Sequence, residues 1–104
     1  MDLGALQEQA NAAIERFESE IGEKEYDEML FLYLSKISED IGNLSSTVMS
    51  SQGISGEPQR ASHGSFADAL YSIVMLAKKM DINLQSAMEE KLRRVAQEAE
   101  AQAL

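Results

Sequence analysis

Apolar residues recur along this chain at alternating spacings of three and four, as they do on one face of an α-helix. The first such segment runs from residue 3 to residue 21, and Gly22 follows it as a helix stop. A second helix is predicted from about Glu25 to Met49. The two stripes are Leu3, Leu6, Ala10, Ile14, Phe17 and Ile21, and then Leu30, Leu34, Ile37, Ile41, Leu44 and Val48. Each helix is therefore expected to bury one face.

Residues 50–64 interrupt this pattern with three glycines and the only proline. That composition predicts a loop of about fifteen residues, long enough to be mobile or functional. A third helix is predicted from about Ser65 to Met80. A tight turn over residues 81–83 follows, with Asn83 as the N-cap of a fourth helix that frays over residues 97–104. No stretch alternates like a strand, so the sequence predicts one all-α domain over residues 1–104, a four-helix bundle.

Composition narrows the chemistry that such a bundle can perform. The chain of 104 residues has no cysteine and one histidine, which excludes disulfides, thiolate zinc sites and cysteine nucleophiles. Any metal would have to be held by oxygen ligands. The formal charge is −9, and nine acids fall within the first 28 residues, so nucleic-acid binding is disfavoured. With neither a membrane span nor a leader pattern, a cytoplasmic protein is expected.

Asp68 is the one charged residue in the apolar run from Phe66 to Ala77. Such a run predicts a buried helix, and a carboxylate in apolar surroundings is costly unless something compensates it. An Arg or Lys, backbone N–H groups, a retained proton or a metal ion would each do so. Arg60, Lys78 and the basic residues of the fourth helix are the candidate ion-pair partners.

Two polar pairs flank the predicted core. Asp40 and Asn43 lie three residues apart in the second helix, and Ser65 and Asp68 lie three residues apart in the third. Side chains at this spacing share one helix face. Two helices that each present such a pair could enclose a cation such as Mg²⁺, which prefers carboxylates, waters and phosphate oxygens.

The order of these segments resembles the MazG-like nucleoside triphosphate pyrophosphohydrolases, an all-α family. Residues 39–44 read Glu-Asp-Ile-Gly-Asn-Leu where the family has Glu-Glu-x-Gly-Glu-Leu. Residues 64–71 read Gly-Ser-Phe-Ala-Asp-Ala-Leu-Tyr where the family typically has Glu-Glu-x-Ala-Asp-Val-Leu-Tyr. Residues 80–84, Met-Asp-Ile-Asn-Leu, match a Gly-Ile-Asp-Leu turn, and Lys91 matches a family lysine. The resemblance covers residues 3–95.

The resemblance implies a MazG-like bundle that binds Mg²⁺ (or Mn²⁺) and cleaves a nucleoside triphosphate to monophosphate and pyrophosphate. The metal ligands it implies are Asp40, Asn43, Ser65 and Asp68, with Glu39 orienting water and Lys91 and Arg94 on the substrate side. Asn43 and Ser65 stand where the family has carboxylates, which favours an alternative: a degenerate relative that binds nucleotide, or a protein partner, without hydrolysis. A purely structural bundle is the third hypothesis, if Asp68 is paired with Arg or Lys.

Self-association is the last expectation. The predicted third helix is apolar nearly all round, so one copy is not expected to cover its own core. The sequence predicts a homodimer or a dimer of dimers.

Overall fold

The computed structural model of the protein describes residues 2–50 and 57–103, and in this part of the chain it is all-α, as predicted. Five helices follow one another: α1 (Leu3–Glu8), α2 (Asn11–Ile21), α3 (Tyr26–Ser50), α4 (Glu57–Lys79) and α5 (Leu84–Ala103). Among the residues described, no helix is both long and apolar enough to cross a membrane.

The predicted first helix is two helices, α1 and α2, because the chain turns at Gln9 and Ala10. Asp2 caps α1 through its side chain, which accepts a hydrogen bond of 2.7 Å from Ala5 N. The break between α1 and α2 is fixed by contacts with the α4–α5 turn. The Gln7 side chain donates to Ile82 O at 2.7 Å and accepts from Leu84 N at 2.8 Å. These bonds hold α1 against the α4–α5 turn and leave α2 to follow another direction.

The predicted loop over residues 50–64 is wrong from residue 57 onward, where α4 already runs. Residues 51–56 lie outside the described part of the chain. Pro58 falls in the first turn of α4, where a missing N–H breaks no intrahelical hydrogen bond. Gly64 lies inside the helix, which costs about 1 kcal/mol relative to alanine and does not end it.

The turn between α4 and α5 agrees with its prediction. Ile82 N donates to Ala77 O at 2.8 Å, and Asp81 adopts φ 58°, the left-handed conformation common where a helix ends. Asn83 caps α5, with its side-chain oxygen accepting from Ser86 N at 3.0 Å. The expected fraying over residues 97–104 is not found, since α5 continues to Ala103.

Helices α3 and α4 form an antiparallel hairpin, which we call the α3/α4 hairpin. Two side-chain contacts across it fix the register: Asp40 meets Ser72, and Thr47 meets Ser65. The contact line, or seam, of α3 alternates spacings of three and four, as in a coiled coil. The seam consists of Leu30, Tyr33, Ile37, Asp40, Leu44 and Thr47 on α3, and Ser62, Ser65, Ala69, Ser72, Leu76 and Lys79 on α4.

Residues one position before the seam face one long side of the hairpin, which we call the groove side. Helix α2 covers one end of it, where Met29, Tyr33 and Met75 form the buried core. Phe17 packs on Tyr33 with ring centroids 4.7 Å apart. The partly buried residues Ala13, Ile14, Ile21, Tyr71 and Leu76 also pack against this cluster.

Residues one position after the seam form the opposite long side, the outer face. Because α3 and α4 are antiparallel, a step of one residue rotates both helices toward the same side of the hairpin. Leu34, Ile41 and Val48, half of the predicted core stripe of this helix, lie here and are exposed. The prediction that they are core is therefore wrong for a single copy: α3 has two apolar stripes, and only the seam is covered.

Candidate functional site: the groove between α3 and α4

Three polar contacts cross the seam at intervals of seven residues. At one end Tyr33 and Lys79 are joined through Glu18 of α2, in the middle Asp40 contacts Ser72, and at the other end Thr47 contacts Ser65. Because seven residues are nearly two helical turns, these contacts stack along one line. They divide the hairpin into an end that α2 covers and a half that lies open.

At the covered end, Tyr33 and Lys79 both bind Glu18 of α2. The Tyr33 hydroxyl donates to Glu18 Oε2 at 2.7 Å, and Lys79 Nζ donates to Oε1 at 2.9 Å. Burial alone raises the pKa of Glu18, but these two donors outweigh it and lower the pKa below its ordinary 4.5. Burial and the adjacent carboxylate raise the pKa of Tyr33 far above its usual 10. This network is closed: each group is satisfied by the others.

In the middle, Asp40 is held by two donors at one of its oxygens. Ser72 Oγ donates to Asp40 Oδ2, and Lys36 Nζ lies 3.5 Å from the same atom. The Asp40 side chain is 12% exposed. It therefore lies deeper than the position flanking the core that was predicted from the sequence. Among the described residues no donor reaches its second oxygen, Oδ1.

Asp68 is exposed, so the prediction that it is a buried acid is wrong for one copy of the chain. It lies on the groove side, one residue before the seam, rather than among the apolar residues of α4. Within the described residues it forms no ion pair, and the Arg60 side chain lies outside them. Pairing with Lys78 or with the basic residues of α5 is not found. The carboxylate faces solvent at the edge of the groove.

The two non-acidic members of the predicted ligand set behave differently from the two aspartates. Asn43 is exposed on the groove side, and its main-chain carbonyl accepts from Thr47 Oγ1 at 2.8 Å. The Ser65 hydroxyl lies at the seam, 3.3 Å from Thr47 Oγ1. Ser65 is therefore engaged two turns away from the Asp40–Ser72 contact, while Asn43 lies one turn from Asp40.

Of the remaining predicted site residues, Glu39 lies on the groove side and Lys91 and Arg94 lie on α5. Glu39 is exposed, one residue before Asp40 on the groove side of α3. Lys91 and Arg94 lie on α5, where every residue from 86 to 103 is exposed. Arg94 pairs with Glu90 at 3.8 Å, with both side chains 63% exposed. The structure does not bring Lys91 and Arg94 to the lining of the groove.

A cleft of about 350 Å³ opens on the groove side beyond α2. Lys36, Asp68 and Ser72 line it together with Ala67, Tyr71 and Met75. Lys36 and Ser72 are also the two partners of Asp40. Asp68 thus lines this cleft directly, and Asp40, on the other helix, is linked to the lining through Lys36 and Ser72.

A larger cavity of about 770 Å³ lies beside the α2–α3 connection. Its lining carries four glutamates, Glu18, Glu23, Glu25 and Glu28, against Lys24. Such an acidic lining repels phosphate. The smaller cleft is therefore the candidate functional site.

The groove suits a metal ion that arrives with its own ligands better than a resident one. In the described part of the chain, no three His, Cys, Asp or Glu side chains cluster as a metal site. The Asp68 carboxylate is nevertheless exposed, and among the described residues no donor reaches Asp40 Oδ1. One or two carboxylates completed by waters and phosphate oxygens is a common way for proteins to bind Mg²⁺.

Sequence reasoning missed the partners that surround these groups. It did not single out Ser72, Lys36 or the Glu18 network. It also did not predict that Gln7 holds α1 against the α4–α5 turn. A signal was present in the sequence: polar residues recur every seventh position within apolar stripes, at 33, 40 and 47 and again at 65, 72 and 79. Such a repeat is typical of polar contacts inside a helix–helix seam.

The fold and the groove define the class: an all-α protein built on a long antiparallel helix pair with a polar cleft at its seam. Comparison with family models, with curated proteins and with solved structures finds no significant match.

Proposed function

We propose that the chain is a nucleotide-binding helical module of the MazG-like type, which binds a nucleoside triphosphate as its Mg²⁺ complex and hydrolyses it slowly or not at all. The observation that carries this proposal is the state of the two aspartates. Asp68 lines the cleft, and Asp40 holds two of the other lining residues, Ser72 and Lys36, at one oxygen. Asp40 and Asp68 would hold the metal of the incoming complex, and the metal would offset the negative charge of the phosphates.

The charge of the cleft makes binding depend on the metal. The lining pairs Lys36 with Asp68, and Asp40, which binds Lys36, adds one further negative charge, so the site disfavours a bare triphosphate. A divalent cation reverses that preference because it neutralises the carboxylates and the phosphates together. Binding is therefore expected with Mg²⁺ or Mn²⁺ and not with a chelator.

Weak or absent hydrolysis follows from what the groove lacks. Asn43 and Ser65 neutralise no charge, and Ser65 is engaged with Thr47. Lys91 and Arg94 stand away from the cleft, so Lys36 is the one basic residue in its described lining, and Lys36 already binds Asp40. Losing one electrostatic contributor to a transition state commonly costs about 10²–10³ in rate.

A pyrophosphohydrolase remains the second candidate. The position of Asp68 in the cleft lining, next to the residues that hold Asp40, favours it, since a metal held there could position a triphosphate for attack by water. Pyrophosphate release separates the two candidates, because the binding module shows binding without release.

The test is calorimetric titration of a panel of ribo- and deoxynucleoside triphosphates, with Mg²⁺ and with EDTA, alongside an assay for pyrophosphate. Asp68→Asn should weaken binding by about tenfold or more, since charge-assisted contacts contribute about 1.5–3 kcal/mol. The matched control is Glu98→Gln, which removes the same charge from an exposed position on α5. Equal binding in EDTA, or equal losses in both variants, would contradict the proposal.

A further inference from the structure

The outer face of the α3/α4 hairpin is a continuous apolar surface. Its eight large side chains are between 39% and 70% exposed. They are Phe31, Leu34, Ile41 and Val48 on α3, and Phe66, Leu70, Ile73 and Met80 on α4. The polar members of the same stripes are Ser38, Ser45 and His63, so no aspartate, glutamate, lysine or arginine interrupts the face. A charge-free surface this long is unusual for a monomer.

The exposed area identifies the kind of partner. Eight half-exposed side chains of this size present about 700 Å² of apolar surface, close to the ~800 Å² that each partner buries in a stable interface. The largest apolar patch on an ordinary monomer is smaller, about 300–600 Å². The face is thus large enough for a lasting partner rather than for a small ligand.

The pattern of the face indicates that the partner has the same shape. Both stripes repeat every seven residues, the period of helices that pack nearly parallel in bundles. Two such hairpins placed face to face would give a four-helix core with the outer stripes inside. The strong acidity of the chain disfavours association through the other, charged surfaces.

From these observations we propose that the outer face packs against the outer face of a second copy in a two-fold symmetric dimer. The contact is isologous, so each residue of the face meets the same surface on the other copy. The groove lies on the opposite side of each hairpin and stays open in the dimer. The exposed stripe of α5, Met88, Leu92 and Val95, is shorter and lies among Lys91 and Arg94, so it is the weaker candidate.

The test compares two serine substitutions on the same helix. Ser38 lies on the outer face and Ser46 lies away from both the face and the seam, and both are exposed. Neither Ser38→Arg nor Ser46→Arg disturbs buried packing in the single chain. In sedimentation equilibrium, Ser38→Arg should raise the dimer dissociation constant by on the order of a hundredfold, because it places a charge in an apolar interface. Ser46→Arg should leave the constant unchanged.

Three results would overturn the proposal. The first is a wild-type chain that stays monomeric at about 100 μM, well above the Kd of a specific complex with this interface area. The second is a dimer that tolerates Ser38→Arg. The third is a dimer that is weakened as strongly by Leu92→Arg, on α5, as by Ser38→Arg. Far-ultraviolet circular dichroism of each variant confirms that the helices remain, and Ile41→Glu provides a second substitution on the same face.

Discussion

Glu18 and Asp40 are two partly buried carboxylates on one helix hairpin, and they are satisfied in different ways. Glu18 uses both oxygens, one for Tyr33 at 2.7 Å and one for Lys79 at 2.9 Å. Asp40 uses one oxygen for Ser72 and for Lys36, which lies at 3.5 Å. Helix α2 supplies Glu18 and closes its end of the hairpin, whereas the groove side next to Lys36 and Ser72, the partners of Asp40, opens into a cleft.

This difference separates a group that stabilises the fold from one that can also bind a ligand. A closed network contributes to stability because breaking it leaves a charge or hydroxyl without a partner. A half-satisfied carboxylate beside a cleft contributes less to stability and keeps capacity for a cation or a donor. Substitutions in the Glu18 network should therefore mainly reduce stability, whereas substitutions at the groove should mainly reduce ligand binding.

The largest expected effect is at Tyr33. Tyr33→Ala removes a ring that is 1% exposed and packed on Phe17, and it leaves Glu18 without one donor. The free energy of unfolding should fall by about 3–5 kcal/mol. Tyr33→Phe keeps the ring and removes only the hydroxyl, so it should cost about 1 kcal/mol. Urea unfolding at one fixed protein concentration measures both, and equal losses would show that packing contributes little at this end.

The next effect is a dependence of stability on pH. The folded chain lowers the pKa of Glu18 below 4.5, so the ionised carboxylate favours folding. Its contribution is present above about pH 4.5 and is lost as the pH falls through the lower pKa of the folded state. Glu18→Gln should therefore destabilise the protein at pH 7 and converge toward the wild type in acid. Glu15→Gln, an exposed position on the same helix, is the control. If the difference in stability between the wild type and Glu18→Gln were as large at pH 3 as at pH 7, this assignment would be contradicted.

The smallest effects on stability are expected in the groove. Asp40→Asn should cost about 1 kcal/mol, because it weakens the contacts to Ser72 and Lys36. Asp68→Asn should change stability by less than about 0.5 kcal/mol, as for an exposed residue without an ion pair. Both substitutions should weaken Mg²⁺-nucleotide binding. Thermal unfolding and calorimetric titration of the same samples would show whether stability and binding separate in this way.

The sequence predicted the helices well where a single apolar stripe of a helix packs against a single neighbouring element. The cap at Asn83 and the end of α2 at Gly22, where φ is 94°, were both foreseen from local chemistry. The predicted loop failed because glycine and proline content does not reveal that Pro58 falls in a first turn. The break at Gln9 and Ala10 depends on Gln7 reaching the α4–α5 turn, a contact about 75 residues away in sequence.

The acids of the candidate site were proposed from the sequence, and their surroundings were not. The spacing of Asp40 and Asp68 suggested one groove; Asp68 lines the cleft there, and Asp40 binds Ser72 and Lys36 of the same lining. Their burial was predicted in the wrong order, since Asp40 is covered and Asp68 is exposed. One apolar run cannot show which of its sides meets the rest of the chain. On α4, Phe66, Leu70 and Ile73 lie on the outer face, Tyr71 and Met75 belong to the core beside α2, and Asp68 is exposed on the groove side.

The most direct test of the binding site is a ¹H–¹⁵N correlation spectrum recorded during titration with a non-hydrolysable nucleoside triphosphate analogue, with and without Mg²⁺. The account predicts that the amide signals of Lys36, Asp40, Asp68 and Ser72 shift together, and only when Mg²⁺ is present. Signals around the Glu18 network should stay in place. No shifts at millimolar analogue, or shifts confined to α5 or to the acidic α2–α3 connection, would contradict the account.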